Sequence, residues 1–392
     1  MSGARLVGTA VWVAAALGWA AAAGEEGGES MSATTKPGAA VLATRVICRQ
    51  KGRYIGWPTA CLRAGGELVV AFSGDRDAHV CPYGKTQIVR CAVGGGGRPW
   101  RLADAEWTDP QTVNNTPLDD RDAGVIETRR GTLLVSWFTS LAFERRVRPS
   151  WRRHVEKIGP ETKRRWLGSW ARRSADGGKT WGEPIRVRGS APHGPVELSD
   201  GRLLYVGEAR LEDKRGVIVV EASRDDGRSW EVIGRVPAPD RPKALRLCEP
   251  HVVEIADGRL VAMFRAEPGG KVAQYLYQSE STDGGKTWTT ARRTRIWGYP
   301  PHLLRLSDGR LVVSYGRRKR PYGQRACISS DGGRTWDVAG EITVATGPNA
   351  DLGYPASVEL PDGTVLTVFY QIARAGEKTS LMAAQWRPPP AE

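Results

Sequence analysis

Six copies of one short pattern run through this sequence, and they leave room for few folds. Each copy is a turn followed by an apolar run: RAGGELVVAF (63–72), ETRRGTLLVSWF (127–138), ELSDGRLLYV (197–206), EIADGRLVAMF (254–264), RLSDGRLVVSY (305–315) and ELPDGTVLTVFY (359–370). A glycine holds the same turn position in all six, at Gly66, Gly131, Gly201, Gly258, Gly309 and Gly363. Asp-Gly and similar pairs supply the left-handed residue that a tight hairpin requires. The run after the turn is short and rich in β-branched and aromatic residues, which reads as a buried strand. Intervals of 65, 70, 57, 51 and 54 residues between these glycines suit a propeller blade of several short strands. One such sheet cannot bury both of its faces, whereas six in a ring can. A hydrophobic content of 40% supports a core of that size and excludes a disordered chain.

A second motif keeps step with the first. SADGGKTW (174–181), SRDDGRSW (223–230), STDGGKTW (281–288) and SSDGGRTW (329–336) all fit S-x-D-x-G-x-[ST]-W. Three of them begin 20 to 23 residues after the turn glycine of their own unit, and the fourth, at Ser174, begins 43 residues after Gly131. The surplus is a basic insertion at 143–165, FERRVRPSWRRHVEKIGPETKRR. It is expected to form a helix or a loop, either as solvated surface or as a rim that meets an acidic glycan. The boxes themselves read as turns: the Asp accepts backbone N–H groups, the Gly takes the tight conformation and the Trp packs between blades. A decayed copy, CAVGGGGRPW, spans 91–100.

Four such boxes on a sixfold repeat resemble the Asp-box, or BNR, repeat of the sialidase (neuraminidase) superfamily, over about residues 41 to 386. The resemblance implies an all-β fold, a six-bladed β-propeller of four-stranded antiparallel blades with its active site at one mouth of the axis. Strands at Ser380–Trp386 and Val41–Cys48 would then close the ring and remove the sheet edges. It also implies an exo-glycosidase that retains configuration. Sialic acid carries a carboxylate on its anomeric carbon, which repels an anionic nucleophile. A neutral Tyr activated by a Glu base avoids that repulsion. Arginine forks hold the carboxylate and an Asp assists the leaving group.

Carried onto this chain, the resemblance places the base at Glu249 and one clamp at Arg265 in LCEPHVVEIADGRLVAMFRAE (247–267). It places another clamp at Arg325, in PYGQRACISSDGG (321–333), with Arg317, Arg318 and Arg320 close by. The nucleophile falls at Tyr354 in DLGYPASVELPDG (351–363), with Tyr370 as the alternative. The acid falls at Asp77, or at its neighbour Asp75, in AFSGDRDAHVCPYGKTQIVR (71–90). One element is missing. Where the family has Arg-Ile-Pro, this chain reads Gly56-Trp57-Pro58. Arg76 or Arg121 is expected to bind substrate in its stead. Three histidines, His193, His251 and His302, begin inner strands, and His251 is counted among the substrate contacts.

The remaining expectations concern context. Residues 1–23 read as a signal peptide: Arg5, an apolar run to Ala23 and a small-residue cleavage site. Residues 24–40 read as a linker, 41–387 as the propeller and 388–392 as a tail. A secreted or periplasmic monomer follows, without stable membrane insertion after cleavage. The formal charge of +14 suits a glycan with an acidic terminal sugar. No nucleic-acid motif accompanies it, and neither a metal nor another cofactor is expected. The six cysteines form no disulfide framework. Two other readings stand beside the sialidase one: a non-catalytic propeller that binds glycans or proteins, and a propeller glycosidase or lyase of other sugar specificity.

Overall fold

The computed structural model describes residues 38–94, 99–210, 216–240, 245–267 and 274–391. The signal-peptide reading and most of the linker therefore lie outside the described residues. The chain forms six four-stranded antiparallel sheets arranged as the blades of a propeller. The first blade runs from its inner strand Tyr54–Leu62 outward to Gln111–Asn114, and the second from Asp119–Glu127 to Ile185–Val187. The third to fifth begin at Val196–Glu197, Arg246–Ala256 and Pro301–Arg305. The sixth begins at Leu352–Glu359 and takes its outermost strand from the other end of the chain. Ala40–Cys48 pairs antiparallel with Thr379–Arg387, Val41 facing Trp386, which closes the ring.

The repeat read in the sequence works as a local device. All six turn glycines are left-handed, with φ between 69° and 88°, and the strand after each turn is nearly inaccessible. In the four boxes the Ser hydroxyl accepts the N–H of the second Gly-position residue, at 2.7–3.0 Å for Gly178, Gly227, Gly285 and Gly333. The Asp carboxylate then accepts from the next Ser or Thr hydroxyl, as from Thr287 at 2.6 Å. Burial alone would raise the Asp283 carboxyl, but the hydrogen bonds from Thr287, Ser281 and Lys286 to its ionised form together outweigh it and draw it down to about 2. Each box leans on the preceding blade. A methyl group on Gly333 would meet Val261 of the fourth blade, and one on Gly285 would meet Leu204 of the third.

Because each blade has two apolar faces, the core is divided. One cluster lies between each pair of neighbours: Val69 and Val135 share one, Leu134 and Tyr205 the next, Val220 and Phe264 the third. Val261 with Val313, Val312 with Phe369, and Phe72 with Tyr370 complete the circle. Burial of this kind is worth roughly 25 cal/mol per Å² of apolar surface. The basic insertion has a satellite core of its own, in which Phe143, Trp151 and Ile158 pack on Cys81 and Leu118. It contains short helices at Arg152–Val155 and Pro160–Trp166. All six cysteines are free thiols.

At the axis the three histidines stitch inner strands together. His251 Nδ1 accepts the Leu303 N–H at 2.9 Å and His302 Nδ1 accepts the Ser357 N–H at 3.3 Å. Their rings stack at 4.3 Å between centroids, and His193 meets the His302 ring edge-on at 4.9 Å. Burial holds all three well below the usual histidine value, His251 at about 3. The folded state thus keeps them neutral while an unfolded chain protonates near pH 6.5. Below that pH the unfolded state binds the extra protons, so stability falls as pH falls, by up to about 1.4 kcal/mol per pH unit for each histidine. Urea denaturation between pH 7 and 5 should show this loss, and His251→Asn, which keeps an acceptor near Nδ1, should shrink it.

Candidate active site

Four of the six inner strands carry the same irregularity. Trp57, Asp122, Glu249 and Tyr354 have φ of 55°, 49°, 48° and 52°. At each one the pairing with the next strand slips, between Gly56 and Thr59, Arg121 and Gly124, Cys248 and His251, and Gly353 and Ala356. A bulge of this sort interrupts the ladder and re-aims a side chain. A left-handed L-residue is disfavoured by roughly 1–2 kcal/mol, so four in equivalent places mark a site built against local preference. Asp122, Glu249 and Tyr354 line one cavity of about 790 Å³. Trp57 is fully buried.

The Tyr354 hydroxyl donates to Glu249 Oε1. Arg265 Nη1 reaches both oxygens of the same carboxylate, at 3.1 and 3.0 Å, and its Nη2 pairs with Glu267 at 2.8 Å. Burial alone would raise the Glu249 carboxyl. Arg265, the Tyr354 hydroxyl and Arg318 outweigh it and hold Glu249 below the ordinary value. Burial, then the charges of Glu249 and Asp122, push the Tyr354 hydroxyl well above its own. The result is a protonated phenol facing an ionised carboxylate. This is the state a neutral nucleophile and its base require.

Of the arginines that line the cavity, three rest on aromatic rings near the Tyr354–Glu249 pair: Arg121, Arg265 and Arg318. Tyr299 supports two of them, with the guanidinium carbons of Arg265 and Arg318 at 4.3 and 5.0 Å from its ring centroid. Arg318 also donates to the Tyr370 hydroxyl at 3.2 Å. Trp57 supports the third, with Arg121 at 4.2 Å from its ring centroid. A Cβ on Gly56 would lie in ordinary contact with two rings, 3.4 Å from Tyr54 and 3.6 Å from Tyr370. The arginine on the neighbouring Trp57 indole comes from the second blade.

The other expected site residues lie elsewhere. Arg76 is fully buried, stacked on Trp57 at 4.7 Å and paired with Asp119 at 2.6 Å. Asp77 does not line the cavity; it accepts the Trp151 indole N–H at 2.8 Å and pairs with Arg53. Asp75 is bound by Arg53 and Lys85. Arg325 is 2% exposed and also off the cavity. Its guanidinium turns back on the carbonyls of Gln324, Ala345 and Pro321, at 3.0–3.2 Å, and on Glu341 at 3.4 Å. Arg318 stands on the wall where Arg325 was expected. A signal for it existed: it follows the second strand of the fifth blade, Leu311–Arg317, much as Arg265 ends that of the fourth, Arg259–Glu267. His251 belongs to the axial cluster, away from the wall.

Two wall residues, His79 and Asp351, were not anticipated. Arg145, Arg146 and Arg148 also line the cavity, which places part of the basic insertion at its rim, one of the two readings of that segment. Asp122 also lines it, and its Oδ1 is buried without a hydrogen-bond partner. Burial, moderated by Arg121 and reinforced by Glu249, lifts the Asp122 carboxyl to about 7. Among the described residues, no group of three or more His, Cys, Asp or Glu side chains is placed to hold a metal ion.

The family model for the BNR repeat-like domain matches residues 103–367. The chain belongs to the BNR repeat-like domain family. Among solved structures, this BNR chain is similar to a protein of unknown function from Dyadobacter fermentans, at 25% identity and a TM-score of 0.73, over 90% of this chain and 99% of that one. It is also similar to a Hadza microbial sialidase, at 16% identity and a TM-score of 0.60, over 85% of this chain and 65% of that one. The NanB sialidase of Streptococcus pneumoniae shares 12% identity and a TM-score of 0.58, over 86% of this chain and 68% of that one. The two sialidases bear on the fold alone, and this BNR chain spans about two thirds of their length. No curated protein matches the sequence.

The buried setting of Arg325 generates a prediction. Arg325→Met removes the donors of three carbonyls and a partner of Glu341, so it should lower unfolding stability by about 2 kcal/mol, measured by urea denaturation. An unchanged midpoint would contradict the structural role.

Proposed function

We propose that this chain is a retaining exo-glycosidase that removes terminal sialic acid, or a related acidic sugar, from glycans. The observation that carries the reading is the hydrogen-bonded pair of Tyr354 and Glu249, held under the guanidinium of Arg265. Tyr354 Oη would attack the anomeric carbon while its proton passes to Glu249, and water would later release the sugar with the same configuration. The sugar's carboxylate would lie against Arg121, Arg265 and Arg318. Their forks favour a planar anion over a neutral ring. A cavity of about 790 Å³ suits a terminal monosaccharide with part of its leaving group. The basic insertion extends the same charge to the rim, in keeping with an acidic glycan. The leader read at residues 1–23 would carry the enzyme out of the cytoplasm.

The test is release of 4-methylumbelliferone from its α-sialoside and its glucuronide by the folded protein. Tyr354→Phe and Glu249→Ala should each lower kcat/KM by about 10³-fold or more. Arg121→Met should raise KM about tenfold, as loss of one charge-assisted bond predicts. Release from neither glycoside would overturn the reading and favour a propeller that only binds its glycan.

A further inference from the structure

A retaining glycosidase needs a group that gives a proton to the leaving oxygen and later takes one from water. Asp77, the residue expected in that role, is bound to Trp151 and Arg53 and does not reach the cavity. His79, two positions on, does line it. Its side chain is 42% exposed, and its ring stands edge-on to Trp57 and Tyr54, at 5.0 and 5.6 Å between centroids. The backbone is fixed as well: the His79 carbonyl accepts from Arg76 at 2.9 Å and from Arg121 at 3.0 Å.

The hydrogen bonds of the ring favour one tautomer. His79 Nδ1 lies 2.9 Å from the Tyr54 hydroxyl, and that hydroxyl donates to Asp351 Oδ1 at 2.8 Å. With its own proton committed to Asp351, the Tyr54 oxygen accepts from Nδ1–H. Nε2 is then the nitrogen left to exchange a proton.

We propose that His79 is the proton-transfer residue of this site, with Tyr54 and Asp351 as its positioning residues. The proposal rests on the glycosidase reading above. In the first step the bond from the anomeric carbon to Tyr354 Oη forms and the glycosidic C–O bond breaks. The Tyr354 proton goes to Glu249, and Nε2–H goes to the departing oxygen. In the second step water attacks the anomeric carbon, its proton goes to Nε2, and Tyr354 leaves with the proton returned by Glu249. Charge around His79 couples the proton to the substrate. Although the ring is partly open to solvent, its enclosure by the surrounding protein, together with Arg121, Arg318, Arg76 and Arg265, holds the free imidazole well below its usual value. Asp351, the facing carboxyl, is itself raised by burial against the pull of Tyr54 and Arg318. A sugar carboxylate that neutralises the arginines removes the largest repulsions, so the anion and the proton are bound together.

The experiment compares an aryl α-sialoside, whose phenolate leaves with little help, with sialyllactose, whose sugar alkoxide needs a full proton. His79→Asn should lower kcat/KM on sialyllactose by about 10³-fold and on the aryl glycoside by less than about tenfold. The parent's kcat/KM on sialyllactose should fall as pH rises through the His79 titration, and the aryl profile should lack that limb. Tyr54→Phe should shift this limb and lower kcat more than it changes KM, as loss of a positioning contact requires. An equal loss on both substrates, in a parent that cleaves both, would overturn the role of His79 alone. So would a leaving-group-selective loss in Asp122→Asn or Asp77→Asn without one in His79→Asn. A parent that cleaves neither substrate would sink the sialidase chemistry and this step with it.

Discussion

A left-handed residue inside a β-strand is held there by its surroundings, and the cavity of this propeller depends on four of them. Trp57, Asp122, Glu249 and Tyr354 each sit where an inner strand bulges and the ladder to the second strand slips. The second strand of each blade is buried on both faces, so the bulge cannot relax by sliding the register; a one-residue slip would turn a whole apolar face into the wrong layer. Sixfold repetition then turns one backbone irregularity into a ring of side chains at a common depth. What each of these four blades contributes there is a matter of single residues: a Glu carboxylate, a Tyr hydroxyl, an Asp carboxyl of raised proton affinity and an indole.

Charge at this mouth is organised around aromatic rings. Three guanidiniums in one cavity repel one another unless something separates and supports them. Tyr299 carries both Arg265 and Arg318 against its ring, and Trp57 carries Arg121 with Arg76 also stacked on it. Cation–π contacts of this kind are worth about 0.5–2 kcal/mol each, more when water is excluded. The carboxylates complete the balance. Glu249 and Glu267 pair with Arg265, and Arg246 bridges Glu267 to Glu208. Loss of Arg265 would leave the Glu249 carboxylate without its arginine partner, whereas loss of Glu267 leaves Arg265 with Glu249 and Arg246 with Glu208.

Much of this was legible in the sequence because it is written repeatedly. The turn glycines and the boxes specify blade number, phase and the direction of the strands, and Glu249, Arg265 and Tyr354 stand at fixed offsets from those landmarks. Side chains on loops between landmarks were not legible in the same way. Arg318 and Arg325 differ by seven positions in the sequence, and which one reaches the cavity is decided by where each guanidinium finds acceptors, not by spacing. Asp77 and His79 are two residues apart on one loop. The insertion decides between them, since Trp151 supplies the indole that binds Asp77. That contact joins segments more than seventy positions apart, and no local pattern announces it.

The closing strand has a consequence for how the molecule comes together and apart. Five blades are made of neighbours in sequence, so each can form from its own stretch of chain. The sixth pairs Ala40 with Arg387, across nearly the full length of the described chain, and its contact is the slowest to find because the loop it closes is the longest. Until that strand docks, the first and sixth blades face each other across an unsealed seam, and the cluster containing Phe72, Trp57, Tyr354 and Tyr370 has no second wall. Two of the four bulges lie on that seam. The cavity thus depends on a contact between the two ends of the described chain, and its integrity is tied to a strand far from it in sequence.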